Sequence, residues 1–372
     1  MKRNLLCTTA MAAVAASFLV SGAALAAEKP TLEMSGYLRF QAWGSDQDVA
    51  PNGNNRGTAF EMDDVHVHFD GSAKADNGLE YGFHVELEEG GSDSKVGYDV
   101  ANVYLAGGWG RLELGSAPGA EDVFKVGAVS IMADLHAGWD GDLMFDTVDN
   151  AAYIGSNMAG NTDDANKVTY YTPEFSGFGA AVSYTPDSTA FFNSDFKAET
   201  ADPENVVEVA LKYAATFSDI DVEVSARGIT GRYGLNDTGD PTTELEDVRA
   251  WGAGVKVGYA GFELAGSYTD NGDTGIAKAN TADGADAGGW WDVGLACGTG
   301  PYKVSVAYMR SWAAQPGGVQ DDEVDFLSVG GLYAAAPGLD LYAAYQYVGL
   351  DRAGNASDNE ANLFMVGTQV SF

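Results

Sequence analysis

Past its first 26 residues the sequence contains no apolar run approaching the ~20 residues that a membrane-spanning helix needs. With 45% hydrophobic residues and a mean hydropathy of −0.13, the chain does not read as a helical membrane protein. Cysteine is almost missing: Cys7 lies in the N-terminal segment and Cys297 is alone beyond it. A framework of internal disulfides is therefore excluded, and Cys297 reads as a small apolar position facing outward rather than a chemical group. Bases are scarce as well. Lys and Arg number 20 against 54 Asp and Glu, a net charge of −34. Without Lys2 and Arg3 the balance is 18 against 54, or about −36. Such a surface repels nucleic acid and anionic partners, so no nucleic-acid role is expected. Cations are its natural counter-ions.

What is abundant is glycine, at 48 residues, with 18 tyrosines and 17 phenylalanines. That composition suits short turns between strands. At the N-terminus, Lys2 and Arg3 precede an apolar run reaching Leu25, and Ala24-Leu25-Ala26 offers a small-x-small cleavage site. Residues 1–26 are read as an export signal peptide and 27–372 as one domain.

Alternation with period 2 runs through the mature chain. Leu32, Met34, Leu38, Phe40 and Ala42 alternate with Glu33, Ser35, Tyr37, Arg39 and Gln41. Val65, Val67 and Phe69 alternate with Asp64, His66, His68 and Asp70, and Phe83, Val85 and Leu87 with His84, Glu86 and Glu88. The pattern returns over 207–213 and 302–308 and ends on Phe364, Val366, Val370 and Phe372. Short turns at Asp76-Asn77-Gly78, Gly107-Gly108, 174–177, Ser218-Asp219, Ala260-Gly261, 299–301 and 335–338 separate longer acidic loops. Strands of about ten residues, short turns on one side and long loops on the other are the pattern of an all-β, transmembrane, antiparallel up-and-down barrel, here of about 16 strands. Trp109, Phe175, Phe178, Phe217, Tyr259, Phe262, Tyr302, Tyr333 and Phe372 lie beside the short turns or the C-terminus. An interfacial girdle predicts that placement; a soluble β-sandwich, the competing fold, buries its aromatics in mid-strand.

One stretch breaks the alternation. Between Ser116 and Asn166 lie roughly fifty residues, far more than a usual connection, with Glu121, Asp122, Asp134, Asp140, Asp142, Asp146, Asp149, Asp163 and Asp164 against Lys125 as the sole base. Val126, Ile131, Met132, Leu135, Met144 and Phe145 give it apolar contacts that a free loop has no use for. Residues 116–166 are read as a constriction loop folded into the barrel. The other reading is a helical excursion on the surface.

Four motifs in order resemble Gram-negative general-diffusion porins. They are Phe69-Asp70-Gly71 through Asn77-Gly78-Leu79 to Val85-Glu86-Leu87; Lys167-Val168-Thr169-Tyr170-Tyr171-Thr172-Pro173-Glu174-Phe175-Ser176-Gly177-Phe178; Ala336-Pro337-Gly338-Leu339-Asp340-Leu341-Tyr342; and Val366-Gly367-Thr368-Gln369-Val370-Ser371-Phe372. The resemblance spans the mature chain. It implies a homotrimer of barrels set in outer-membrane lipid and lipopolysaccharide, an inward-folded third loop, and a terminal Phe372 read by the barrel assembly machinery. It also implies acids on the third loop facing arginines on the wall. Arg39 and Arg111 lie on polar strand faces and are candidates for that wall. The sequence departs from the family at His66, three residues before Phe69, and at Ser116 after Gly115, where arginines are common.

His66, His68, His84 and Glu86 share the polar faces of two neighbouring strands. A turn centred near Asp76 sets His68 opposite His84 and His66 opposite Glu86; a two-residue slip preserves the facing. The patch is open to three readings: a titratable wall, a transition-metal site of imidazole and carboxylate, or hydrated lining without a special role. Glu61-Met62-Asp63-Asp64, Asp163-Asp164 and Asp321-Asp322-Glu323 are either loose Ca²⁺ sites or solvated loop faces. Gly252-Ala253-Gly254 with Gly258 is dismissed as a nucleotide loop, because no helix follows it. The functional expectation is a passive channel for small hydrophilic solutes and ions, preferring cations. A substrate-selective channel, a barrel enzyme such as a phospholipase, and an adhesive barrel are its rivals.

Overall fold

A computed structural model gives the fold and describes residues 29–47, 57–90, 95–134, 157–190, 202–234, 244–317, 321–352 and 358–372. The segments that alternate in sequence become strands: β1 (Thr31–Gln47), β2 (Thr58–Lys74), β3 (Glu80–Gly90), β4 (Lys95–Gly107), β5 (Gly110–Ser116), β6 (Asn166–Tyr171), β7 (Phe178–Asp187) and β8 (Pro203–Phe217). The second half adds β9 (Ile220–Tyr233), β10 (Arg249–Tyr259), β11 (Phe262–Asp270), β12 (Gly289–Thr299), β13 (Tyr302–Ala313), β14 (Asp322–Ala336), β15 (Leu339–Asp351) and β16 (Asn359–Ser371). Each strand pairs antiparallel with its sequence neighbours, and β1 pairs with β16 to close the barrel, with Leu38 opposite Val370 and Ala42 opposite Val366. Closure leaves no open edge, which a lipid environment requires because no water is present to satisfy unpaired backbone groups. The ends are tied by the Phe372 N–H donating to the Gly36 carbonyl at 3.0 Å and the Gly36 N–H to that of Phe372 at 3.2 Å.

Alternation sorts side chains by solvent in the reverse sense of a soluble protein. On β13, Val304 and Val306 are exposed on the outer face, whereas Ser305 and Ala307 are buried within. Leu32, Met34, Val209, Leu211, Val293, Leu295, Val366 and Val370 belong to the same outward set. So continuous an apolar exterior is a lipid-facing band. Cys297 falls on this face, level with Phe262 and Val304.

The short turns expected from sequence all close hairpins at one rim. Ala260 and Gly261 both have positive φ (51° and 85°) between the paired Tyr259 and Phe262, which matches the twist of the flanking strands. Phe175, Phe178, Phe217, Tyr259, Phe262, Tyr302, Tyr333 and Phe372 are exposed around that rim, and Trp109 stacks on Tyr170 there. A second ring, which the sequence reading did not single out, contains Trp251, Tyr268, Trp291, Tyr308, Tyr345 and Phe364, paired across strands as Trp251–Tyr268, Trp291–Tyr308 and Tyr345–Phe364. On β10, Tyr259 and Trp251 lie eight residues apart, about 27 Å along a strand. A tilt of about 40° reduces this to roughly 20 Å, near the height of an outer-membrane apolar band.

Between β5 and β6 runs the third loop, with the boundaries read from sequence. A one-turn helix (Ala120–Val123) and a 3-10 turn (Ala128–Ile131) interrupt it. Its described limbs lie inside the barrel: the helix rests on β7 to β9 and the 3-10 turn on β11 to β13. Ala120 packs with Ala181 and Ala210, and Ile131 with Ala265 and Ala296. The surface-excursion reading is thereby set aside.

The loop seat and the candidate pore wall

The inward positions of β7 to β14 are unusually small where the loop crosses them. At Gly254 a Cβ would stand 1.8 Å from the Val126 carbonyl oxygen. The missing Cβ at Gly254 lets loop and wall backbones meet.

Polar wall residues then fix the loop's backbone. The Ala120 N–H donates to Ser183 Oγ at 3.1 Å, that of Ala128 to Asp292 Oδ1 at 2.6 Å, and that of Ala133 to Ser305 Oγ at 2.8 Å. At the centre of the seat Arg227 Nη1 lies 2.8 Å from Glu121 Oε2, both side chains almost wholly buried. Glu121 Oε1 also accepts the Met158 N–H and Asn161 Nδ2, which draws the returning limb onto the outgoing one. Glu208 accepts from the Glu121 N–H and from Thr162 Oγ1. Farther along, Asp134 Oδ2 accepts from Ser328 Oγ at 2.7 Å.

This geometry corrects part of the sequence reading. Glu121 and Asp134, expected at the constriction, turn away from the lumen and anchor the loop, with exposures of 0% and 1%. The reason is their partners: Arg227, the Met158 N–H and the Asn161 amide satisfy the buried Glu121 carboxylate, and Ser328 donates to Asp134. Asp122 is partly open and holds Lys125 at 2.5 Å. Asp140, Asp142, Asp146 and Asp149 lie outside the described residues, as does the 1–26 segment. Arg227 was missed, because a lone arginine in an alternating strand has no local mark. Glu208 lies in the alternation over 207–213 and likewise has no local mark.

At the root of the loop, Lys167 reaches the carbonyls of Ala117 and Asp163, and Ser116 Oγ donates to the Asp164 carbonyl. Asp164 is 8% exposed. Burial, reinforced by Asp163 and Asp99 and opposed by Lys167, pushes its carboxyl up to about 7. The paired acids expected here as a loose Ca²⁺ site thus have unlike surroundings. The Asp322–Glu323 pair does not converge either: Asp322 accepts from Gln315, while Glu323 lies 3.8 Å from Arg310 on the opposite strand face.

The described limbs leave the wall of β2 to β6 facing the lumen. A cavity of about 490 Å³ is bounded there by Asp70, His84, Glu86, Arg111, Glu113 and Tyr171, and by Ala117, Pro118 and Val123 of the loop. Toward the short turns a wider cavity of about 830 Å³ holds Asp221, Glu223, Lys256 and Glu263. Of the two expected wall arginines, Arg111 is the open one. It lies over the Tyr104 ring at 3.8 Å and donates to Glu113 at 2.6 Å. Arg39 is buried between Asp64, at 3.3 Å, and Gln369.

The histidine patch forms with the slipped register. His66 pairs with Glu88, His68 with Glu86, and Asp70 with His84, two residues from the expected pairing and on the same face. His66 contacts Asp64 through Nε2 and Glu86 through Nδ1, and stacks on Tyr37 with ring centroids 4.7 Å apart. His84 Nδ1 is 2.7 Å from Asp70, and His68 Nε2 is 3.6 Å from Glu86. Asp64, Asp70 and Glu88, absent from the expected wall, complete it.

A sequence profile for the Gram-negative porin family matches residues 9–353. Among curated proteins, uncharacterized proteins of Rickettsia conorii and Rickettsia prowazekii are each 23% identical, over 316 residues (67% of this chain, 69% of theirs) and 312 residues (66% and 68%). Among solved structures, an anion-selective porin from Comamonas acidovorans superposes with a TM-score of 0.64 at 15% identity, covering 92% of this chain and all of that one. The trimer form of OmpT, an outer membrane protein of Vibrio cholerae, gives 0.61 at 14% identity over 93% of this chain and all of that one. Profile, closed barrel and inward loop together establish that the chain belongs to the Gram-negative porin family, as a multi-pass outer-membrane β-barrel that forms a diffusion channel.

Proposed function

We propose that this channel passes small hydrophilic solutes and ions without catalysis, prefers cations, and works as a homotrimer. One observation carries the cation preference: seven bases of the wall stand beside carboxylates, and on the β2 to β4 wall further acids remain. Arg39, Lys74, Arg111, Lys212, Arg227, Lys256 and Lys303 each lie within 4.0 Å of a carboxylate. On the β2 to β4 wall stand Asp64, Asp70, Glu86, Glu88 and Asp99 with histidines among them, while Arg39 is taken up by Asp64 and Arg111, across the cavity, by Glu113. At physiological ionic strength fields reach about 8 Å. The charges bordering the narrow lumen therefore outweigh the distant loops in setting selectivity.

Trimer formation is supported by the resemblance of the fold to a protein solved as a trimer. Against a barrel phospholipase, His66, His68 and His84 of the described residues all face inward, whereas that chemistry needs histidine on the lipid face. The test is reversal potential in a planar bilayer under a KCl gradient at pH 7. A potential of the sign for K⁺ permeation is expected, and chloride preference would overturn the reading. Liposome swelling that falls smoothly with solute size, rather than favouring one sugar or organic cation, is the matching result for general diffusion.

A further inference from the structure

We propose that the pore wall carries a binding site for a divalent transition-metal ion of the Zn²⁺, Ni²⁺ and Cu²⁺ class, built from His66, His68, His84 and Glu86. Glu86 is the centre. His66 Nδ1 contacts its Oε1, His68 Nε2 lies 3.6 Å from the same oxygen, and His84 Nε2 lies 3.8 Å from Oε2. Donor atoms of His66, His68 and Glu86 all fall within 4.8 Å of one another. Ligands bonded to zinc at 2.0–2.1 Å stand about 3.3 Å apart around a tetrahedron. Small side-chain rotations bring these groups to that spacing, with no change in strand register.

The outer partners distinguish this cluster from a chance gathering of polar side chains. His66 and His84 each give one ring nitrogen to a carboxylate, Asp64 and Asp70 respectively, and each aims the other nitrogen at Glu86. A carboxylate on one nitrogen fixes the tautomer and presents the opposite lone pair, the arrangement that surrounds histidine ligands in metal sites. Two strands supply it through their period of two, since His66 and His68 share one face of β2 while His84 and Glu86 share the facing side of β3. Imidazole-rich donors favour transition ions over Ca²⁺ and Mg²⁺, which prefer all-oxygen shells. The side chains are only partly covered, and His84 and Glu86 border the lumen cavity, so an ion arriving through the channel reaches them. The site stands whether or not the channel prefers cations, because metal binding is read directly.

Folded full-length protein in detergent, stripped with EDTA, is titrated with Zn²⁺ by calorimetry at pH 7.5 in millimolar Mg²⁺. The expected result is one saturable Zn²⁺ per protomer that excess Mg²⁺ does not displace. Asp70→Asn should weaken it at least about tenfold, and His66→Gln/His68→Gln/His84→Gln together should abolish it. Equal binding by wild type and the triple variant, or no binding by wild type, would overturn the site. Because the triple variant risks failing to fold, Cu²⁺-loaded wild-type protein is also read by electron paramagnetic resonance. Nitrogen superhyperfine splitting is expected from imidazole ligation, and a spectrum of oxygen ligands alone would overturn the proposal on its own.

Discussion

Replacing Arg227 with Met tests the claim that the third loop is held by its own charge pairing. The substitution keeps most of the apolar stem but removes the guanidinium lying 2.8 Å from Glu121 and the donor to Thr269 Oγ1. Glu121 then remains buried with the Met158 N–H and Asn161 Nδ2 but no cation. Removing one partner of a buried pair costs about 3–5 kcal/mol. At the lower figure, and at 1.4 kcal/mol per factor of ten, the ratio of undocked to docked loop rises roughly a hundredfold. An undocked loop swings from the wall into the lumen, so single-channel records should show brief closures that many times more frequent, with the fully open level little changed. A Glu121→Gln/Arg227→Met double variant buries no charge and should lie closer to wild type than Arg227→Met alone, which measures the coupling between the two. Wild-type closure frequency in Arg227→Met barrels of wild-type heat stability would refute the reasoning.

Gly254→Ala should likewise raise closure frequency, because its new Cβ would meet the Val126 carbonyl oxygen at 1.8 Å; Gly258→Ala, whose Cβ would have 3.6 Å to its nearest neighbour, is the control. Equal records from the two variants would remove steric seating from the account. At the loop root, Asp164 is raised from 3.8 to about 7, so its contribution to stability is complete below 3.8 and is lost as pH rises through 7. Thermal denaturation between pH 4 and 8.5 should show wild type losing stability progressively from about pH 4 to 7 and levelling off above 7, by up to about 4 kcal/mol at 1.4 kcal/mol per pH unit. Asp164→Asn should be flat over the same range, and parallel curves would exclude Asp164 as the cause.

Strands, turns and the limits of the third loop were legible because each is written locally. Side-chain period fixes a strand, and residues such as Ala260-Gly261 fix a turn. The β2–β3 register was legible only to within two residues. The turn there is wider than Asp76-Asn77-Gly78 alone implies: Ala75 N–H donates to the Leu79 carbonyl at 2.8 Å and Lys74 pairs with Glu80. A period of two preserves the face through such a slip, so the histidines still met Glu86. Which loop acids face water was not legible. Glu121 lies 106 residues from Arg227, and Asp134 lies 194 from Ser328. Nothing near either acid in sequence distinguishes it from Asp122, which stays partly open.

The barrel itself does not decide what it passes. A porin described as anion-selective shares this architecture over 92% of the chain at 15% identity, so selectivity belongs to side chains on the wall rather than to the fold. Here the inward bases are drawn into pairs by the strand pleat. Lys212 and Lys256 both lie on Glu223, at 2.6 and 2.7 Å, and Lys303 lies on Glu263 at 3.2 Å. Arg227, buried under the loop, contributes to docking instead of to the field in the lumen. A passing anion therefore meets guanidinium mainly at Arg111, and there Glu113 already accepts from it. A passing cation meets Asp70, Glu86 and Glu88 along the wall that the described limbs leave open, and the same carboxylates orient the imidazoles beside them. Under the proposed cation preference, the loop's anchorage and the channel's selectivity are one arrangement: docking the loop consumes the buried arginine, and Arg111, Lys212, Lys256 and Lys303, left on the described wall, each stand beside a carboxylate.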